Sequence, residues 1–543
     1  MSYLDLPRLH FFGTFTAQPS TVNNDPNNYN VALPVDDPSW NPNGTHYFGF
    51  IGCKVTGVVM PDGSKTDPVI GGALTTPAQG KPGAAVLVDL DTEQQLVSQI
   101  FGLQVTVALP KGGAITGTME TVNFFDITFA RVHDGPGDDS GASAVYQSVL
   151  RNVQWTGTKG SPFAQALQQA SPNTLSIRFV VDLFSPSTKI GRVTGTIGPY
   201  YEGEPTSFTN ARFLRPTAVT QWGNLNFAPA KSDPRRGVIT FDFGNAFPVD
   251  SNGSVTGFPA PLQAVVQPAS GPPVVLGTID TSDAAYRNTA FVQEFQADPK
   301  VLQSAPTAVA VQSLPAHGVP ARLVNVLAEN PTGAYVNVAP YVLRLSPGDV
   351  AVATLWANVF EQPAAHVIVN LAAYDNVLQG TQTLPVATPP DAIVFPGSVT
   401  TDMNGRAQFA ISAKDPGTPR QFAGGAFIDG QVYGIGFQWS EDTTPDPFAF
   451  FSVKIFSGYQ APAAPTWVND VRPVLAQYAH LYPAMQAIIK LDDFSAVVKN
   501  IIPIIARLSL PFDDPRLMPV TRELSPAKRN MILDWARIGH PQN

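Results

Sequence analysis

The chain has 543 residues, 44% of them hydrophobic and only 14% charged, with 44 Gly and 52 Pro. That length supports several domains with large buried cores, and the Gly and Pro content interrupts helices too often for a mainly helical protein. The net charge of −9 comes without any Lys/Arg cluster, so neither nucleic acid nor an anionic membrane surface is an expected partner.

Cys53, the single cysteine, excludes an intrachain disulfide and a thiolate-rich structural zinc site. No run of about 18 apolar residues exists, so no membrane span is predicted. Residues 1–8 lack a basic start followed by an apolar run, which reads as the absence of a secretory signal and makes the cytoplasm the expected compartment.

In chain order, residues 4–15 form an opening strand, with Leu9, Phe11, Phe12 and Phe15 clustered. Residues 21–43, dense in Asn, Asp and Pro, form a long loop. Strands follow at 49–59, 84–90, 103–109 and 121–132. Between two of them Thr92-Glu93-Gln94-Gln95 has the form of a capping box and predicts a short helix closed by Gly102. Further strands at 175–183, 192–197, 238–243 and 274–278 complete a large antiparallel sandwich or barrel over residues 1–320, with room for two subdomains.

Residues 321–457 carry about seven strand-like runs and predict an immunoglobulin-like β-sandwich. Asn404-Gly405 and Asp429-Gly430 supply the positive φ of tight hairpin turns there. After a linker at 458–466 the apolar period changes from two to 3.6. Val471, Val474, Leu475, Tyr478, Leu481, Tyr482 and Met485 form one helical face, and Phe494, Val497, Val498, Ile501, Ile505 and Leu508 a second, with Pro503 expected to bend that helix. Ser525-Pro526 opens a third helix through Trp535. The fold class is therefore mainly β, with a small α-helical domain at 467–543.

Catalytic signatures are missing: there is no G-x-S-x-G elbow, no phosphate-binding or dinucleotide loop and no H-E-x-x-H. The seven histidines are scattered, so no metal site and no cofactor is expected. Arg131-Val132-His133-Asp134 is the best polar cluster. It ends a strand on which Arg131 and His133 face one side, and it leads into the acidic, glycine-rich stretch 135–141, which is a candidate pocket wall or calcium loop. A solvated turn after a surface strand explains the same residues more simply. Asp89 and Asp91 also face one side, and the predicted helix start beside them accounts for their charge.

Two resemblances bear on the tail and the ends. The pattern Val471-Arg472-Pro473-Val474-Leu475, with Arg516-Leu517-Met518-Pro519 and the helix from Leu524-Ser525 to Trp535, resembles small c-type cytochrome domains. The segment aligned with their haem attachment is Tyr478-Ala479-His480-Leu481-Tyr482, without the two cysteines and proximal histidine, so a helical scaffold without haem is implied and Met518 becomes a core residue. The opening Leu4-Asp5-Leu6-Pro7-Arg8-Leu9-His10-Phe11-Phe12-Gly13 resembles that of VioB-like proteins of violacein biosynthesis. So do His480-Leu481-Tyr482-Pro483-Ala484-Met485 and Met518-Pro519-Val520-Thr521-Arg522-Glu523-Leu524-Ser525.

That resemblance implies the non-catalytic front region of an iminophenylpyruvate dimer synthase family, without the ferritin-like catalytic part and its Glu-x-x-His ligands. It carries over no active-site residue. The preferred expectation is a non-enzymatic binding or scaffold protein, with a protein or small-molecule partner, accessory to a tryptophan-derived secondary-metabolite pathway. The alternatives are an oxidoreductase of such metabolism, using residues such as Arg131 and His133, and a structural or surface-assembly protein.

Overall fold

The structure is a computed structural model that describes all residues except 1, 36–39, 93, 136–139, 218–224, 259–260, 269, 304–306, 314–322, 375–383, 424 and 443–448. It is mainly β: strands make an eleven-stranded sheet, an eight-stranded sheet and two five-stranded sheets, and helices gather at the C-terminal end. Among the described residues no helix is long and apolar enough to cross a membrane.

Strand Arg8–Ala17 pairs with Ile190–Pro199 on one side and Tyr47–Val59 on the other. This double pairing closes a barrel through Ala73–Thr75, Gln104–Ala108, Ala114–Met119, Ser143–Thr156 and Leu175–Ser185. Closure leaves no unpaired edge along that ring. Period-two alternation decides which side chains fill the interior. Leu9, Phe11, Phe15, Ile177, Phe179, Val181, Val193 and Ile197 point in, and Gly195 makes room, since a Cβ there would stand 2.5 Å from the Phe11 ring. The opposite residues of the same strands, His10, Arg178, Asp182, Arg192, Thr194 and Thr196, are also buried.

Those outward residues are covered by the second sheet, whose strands lie between Arg212 and Glu329. Its core, with Phe241, Phe243, Phe247 and Phe291, takes in Phe12 of the first strand. Strand Val324–Glu329, on the sandwich side of the sequence boundary at 320/321, pairs with Thr307–Ser313 and Arg212–Pro216 in this sheet.

The sandwich begins at Ala334. Strand Ala334–Ala339 lies in one sheet, and after Pro340 the chain crosses so that Val342–Leu345 runs parallel to Phe450–Ile455 in the other. The two sheets enclose Leu355, Val369, Phe409, Ile435, Trp439 and Val453 in an immunoglobulin-like arrangement.

Several expectations need correction. The segment expected as a helix after Thr92 is strand Gln94–Phe101, paired with Ala85–Asp91; Val97 and Phe101 meet apolar neighbours on a sheet, and tertiary packing overrides a local capping signal. Asn404-Gly405 is a turn between strands of different sheets, Ser398–Thr400 and Arg406–Ala413, held by Asp402 accepting from the Asn404 and Arg406 amides at 2.8 and 2.9 Å. Asp429-Gly430 likewise closes no hairpin: residue 427 makes only an isolated bridge to Gln421. The chain breaks between helices Phe494–Lys499 and Ile501–Leu508 at Asn500, so Pro503 sits in a first turn, where its missing N–H costs nothing. Met518 is 38% exposed and not a core residue.

The tail buries a core of its own that two residues from elsewhere complete. Trp467, Trp535 and Phe494 form an aromatic triangle, and the surrounding cluster includes Tyr29 from the long N-terminal loop and Ile428 from the sandwich. Beneath it Asp91, from the barrel hairpin, meets Arg420 and Lys454 of the sandwich in an ion triad whose three side chains are wholly buried. Burial alone would raise the Asp91 carboxyl, but Arg420 and Lys454 more than offset that and hold it well below the usual carboxylate range.

Candidate functional site

Where barrel, second sheet and sandwich meet, their walls do not close completely. A cavity of about 250 Å³ remains, lined by Val97, Asn123, Phe124, Asp126 and Ile127 from strands Gln94–Phe101 and Val122–Thr128, which extend the barrel's eleven-stranded sheet beyond the closed ring, and from the second sheet by Phe213 and Phe227. The sandwich contributes Tyr335, Asn337, Tyr341, Phe437, Phe450 and Phe451 among others. Binding sites recur at such convergences because each unit satisfies its own backbone and leaves side chains to the gap.

The aromatic walls are fixed by their neighbours. Phe213 stacks on Phe227 at 5.1 Å and packs against Tyr335 at 5.0 Å. Asn337, 5% exposed, donates to the Tyr335 hydroxyl at 2.8 Å and accepts from the Tyr341 hydroxyl, so one amide holds both rings. On the barrel side, strand Val122–Thr128 changes register against Ser143–Thr156 between Phe124 and Asp126. A bulge of this kind re-aims side chains, and Asp126 lines both the cavity and a narrow recess behind it. Its Oδ2 accepts from Asn245 Nδ2 at 2.8 Å, and Asn245 Oδ1 accepts from the Ser143 hydroxyl at 2.7 Å.

The recess is lined by Gln147, Arg178 and Thr209 and borders an ionic seam between barrel and second sheet. Arg178 pairs with Asp242, which also accepts from Tyr3 at 2.7 Å. Burial opposes the Arg178 charge, yet Asp242, Tyr3 and Asp126 outweigh it and raise its pKa. Arg192 grips both oxygens of Asp182 at 2.8 and 2.7 Å and lies 4.0 Å from the centre of the Tyr286 ring. Burial, with Arg8 nearby, pushes His10 well below the usual histidine range, so it is neutral beside Thr196. The seam cements two sheets, with Asp182 holding Arg192 and Asp242 holding Arg178.

The cluster predicted from sequence is divided by the fold. The strand ends at Thr128, so Arg131, His133 and Asp134 fall in the following turns, where strand alternation no longer applies. Arg131 turns inward, fully buried, donating to the Gly244 carbonyl at 3.1 Å and lying 4.0 Å from Asp182. His133 and Asp134 are exposed, the latter 3.4 Å from the Ser251 hydroxyl. The proposed pocket wall of Arg131 and His133 does not form, and most of the calcium-loop candidate, 136–139, lies outside the described residues. Asp89 accepts from Ser98 across the hairpin, whereas Asp91 joins the triad. Among the described residues no three His, Cys, Asp or Glu side chains converge as a metal site would require.

Sequence reading missed the cavity because its residues come from three units. The local signals are modest: Phe124 to Asp126 read as ordinary strand, and the alternation of Tyr335 with Asn337 reads as a half-buried face.

No family model matches the chain, and no curated protein matches it. Among solved structures, the D0-D1 domain of intimin is 15% identical with a TM-score of 0.17, over 41% of this chain and 92% of that one. The Yersinia pseudotuberculosis adhesin InvE is 12% identical with a TM-score of 0.15, over 41% of this chain and 54% of its own length. The native conformation of E. coli alpha-2-macroglobulin is 10% identical with a TM-score of 0.13, over 84% of this chain and 35% of that one. At these scores none of the three bears on function.

Proposed function

We propose that this chain is a non-enzymatic binding and scaffold protein whose ligand is a small, flat aromatic molecule held in the junction cavity. The observation that carries this is a cavity of about 250 Å³ walled by aromatic side chains from three units. An apolar cavity of about 150 Å³ accepts benzene, so this one has the size for two fused rings. Ring faces and edges reward such a ligand with stacked and edge-on contacts worth about 0.5–1.5 kcal/mol each.

The test is calorimetric titration with 2-(1-naphthyl)ethanol, a neutral bicyclic probe. Saturable one-to-one binding is expected, and it should vanish in Val336→Trp, which fills the cavity, while circular dichroism stays unchanged. Binding that survives the filled cavity would remove this site from consideration.

The resemblance of the terminal segments to VioB-like proteins supports a narrower reading. In it the chain is a cytoplasmic accessory of a tryptophan-derived secondary-metabolite pathway and works beside a separate catalytic partner. Cys53 suits a reducing compartment: it is a buried lone thiol, and burial pushes its pKa up to about 12. Incubation with a tryptophan oxidase and its imine product tests this reading, since coupled product formed by this chain alone would defeat it.

A further inference from the structure

The outer face of the sandwich carries a groove that shares no lining residue with the junction cavity. We propose that this groove binds a neutral sugar, a pyranose whose C–H face lies on the Trp356 ring and whose hydroxyls meet the polar side chains around it. Such a site goes beyond the proposed function and works whatever the junction cavity holds.

The groove is open, about 680 Å³ in volume, and lies between one sheet of the sandwich and residues 203–204. Strand alternation builds its floor. Strands Val350–Val359 and Arg406–Ala413 pair so that Thr354 stands opposite Gln408 and Trp356 opposite Arg406, and all four line the groove. Leu355, Ala407 and Phe409, between them in sequence, turn the other way into the sandwich core. Trp356 is fixed before a ligand arrives, because buried Phe208 packs edge-on against it at 5.5 Å. Its indole Nε1 is buried, so the surface it gives the groove is carbon.

Around that ring the side chains are polar and of mixed kind. Arg406 supplies donors, and one of them already ties the floor to the far wall by donating to the Gly203 carbonyl at 2.6 Å. Asp402 supplies an acceptor and is held in place by the Asn404 and Arg406 amides, both on its Oδ1. Thr354, Thr400 and Gln408 both donate and accept. Gln408 Nε2 and Thr354 Oγ1 meet only at 3.5 Å, a long contact that a ligand hydroxyl improves on.

One apolar ring in a polar groove fits a molecule with one apolar face and a rim of groups that both donate and accept. A pyranose has that form, and its C–H hydrogens carry the slight positive charge that the negative face of an aromatic ring attracts. A flat aromatic ligand would displace water from the amide and hydroxyl groups without replacing its hydrogen bonds. An anion would gain Arg406 but stand against Asp402 and Glu204, and an ammonium would stand against Arg406.

The test uses the labelled full chain on an array of immobilised oligosaccharides. The array carries neutral chains ending in glucose, galactose, mannose or N-acetylglucosamine, together with sulfated and sialylated counterparts. Binding to at least one neutral chain is expected, and calorimetry with that chain in soluble form then compares variants. Trp356→Ala should weaken it at least about tenfold and Gln408→Ala at least about threefold. Val336→Trp, which fills the junction cavity, should leave it unchanged and so keeps the two sites distinct. An array without a neutral hit, binding confined to the charged chains, or binding that survives Trp356→Ala overturns the assignment. Should Trp356→Ala not fold, Thr354→Arg obstructs the groove from a partly exposed position of the same strand, and undiminished binding there overturns it equally.

Discussion

The fate of single charged residues shows most directly how this chain is held together. Asp91 shares no exposed surface with Arg420 or Lys454, and breaking a buried pair strands the opposite charge in a medium that cannot solvate it. Asp91→Asn is therefore expected to cost about 3–5 kcal/mol, read as a lower urea midpoint. Arg151 and Glu120 form a pair of similar length with both side chains about 40% exposed; Glu120→Gln should change stability by less than about 1 kcal/mol, because water already serves both groups.

Glu361 adds a pH dependence. It accepts from the Ser232 amide at 2.7 Å and lies 3.7 Å from Arg212, which is committed to Glu329 at 2.7 Å. Burial dominates over Arg212 and raises its carboxyl to about 7. Between about pH 4.5 and 7 the folded chain thus keeps a proton that the unfolded chain has released, so this residue's contribution falls as pH rises through that window. Glu361→Gln should leave the Tm at pH 5 nearly unchanged and raise it at pH 8, by up to roughly 2–3 kcal/mol of stability. An unaltered difference between the two pH values would show that the group titrates normally.

At the scale of elements, capping and alternation explain most of the local structure. Helix Pro162–Ala170 begins at Ser161, whose hydroxyl accepts from the Ala164 amide at 3.0 Å and donates to Asp67 at 2.7 Å. Asp67 also accepts from the Phe163 amide at 2.8 Å. Ser161→Ala removes both links, and a loss of about 1–2 kcal/mol is expected in equilibrium unfolding. This helix and the fourteen-residue strand Ser143–Thr156 escaped the sequence reading, although Ser161-Pro162 is a cap followed by a first-turn proline. The strand's first eight residues are all buried, so it lacks the alternation by which a half-exposed strand is recognised. The reverse error occurred at 94–101, where a capping pattern pointed to a helix and sheet pairing prevailed.

At the scale of the whole molecule, neighbouring units share their cores and charges. The barrel and second sheet share the seam of Arg178, Asp182, Arg192 and Asp242, and the tail borrows Tyr29 and Ile428. Val520 of the tail packs on Val86, Val88 and Phe101 of the barrel hairpin, and Arg522 lies 4.1 Å from the centre of the Phe101 ring. Unfolding in a calorimeter should accordingly appear as one dominant transition, with near-ultraviolet and far-ultraviolet circular dichroism changing together. Separate transitions for the 334–455 sandwich and the rest would show that these contacts do not couple the units.

By itself the sequence settled the β class, the immunoglobulin-like sandwich and the helical character of the tail, because each rests on local periodicity that survives any arrangement of the units. Only the tertiary structure decided that Arg131 turns inward while His133 does not, that Asp91 anchors a triad, and that Asp126 faces an aromatic cavity. Alternation tells which residues share a face, but not what covers it. An arginine on the outer face of a barrel strand reads as solvated until a second sheet is laid over it. A cavity between three units has no signature in any one of them, since its volume is what remains after their surfaces meet.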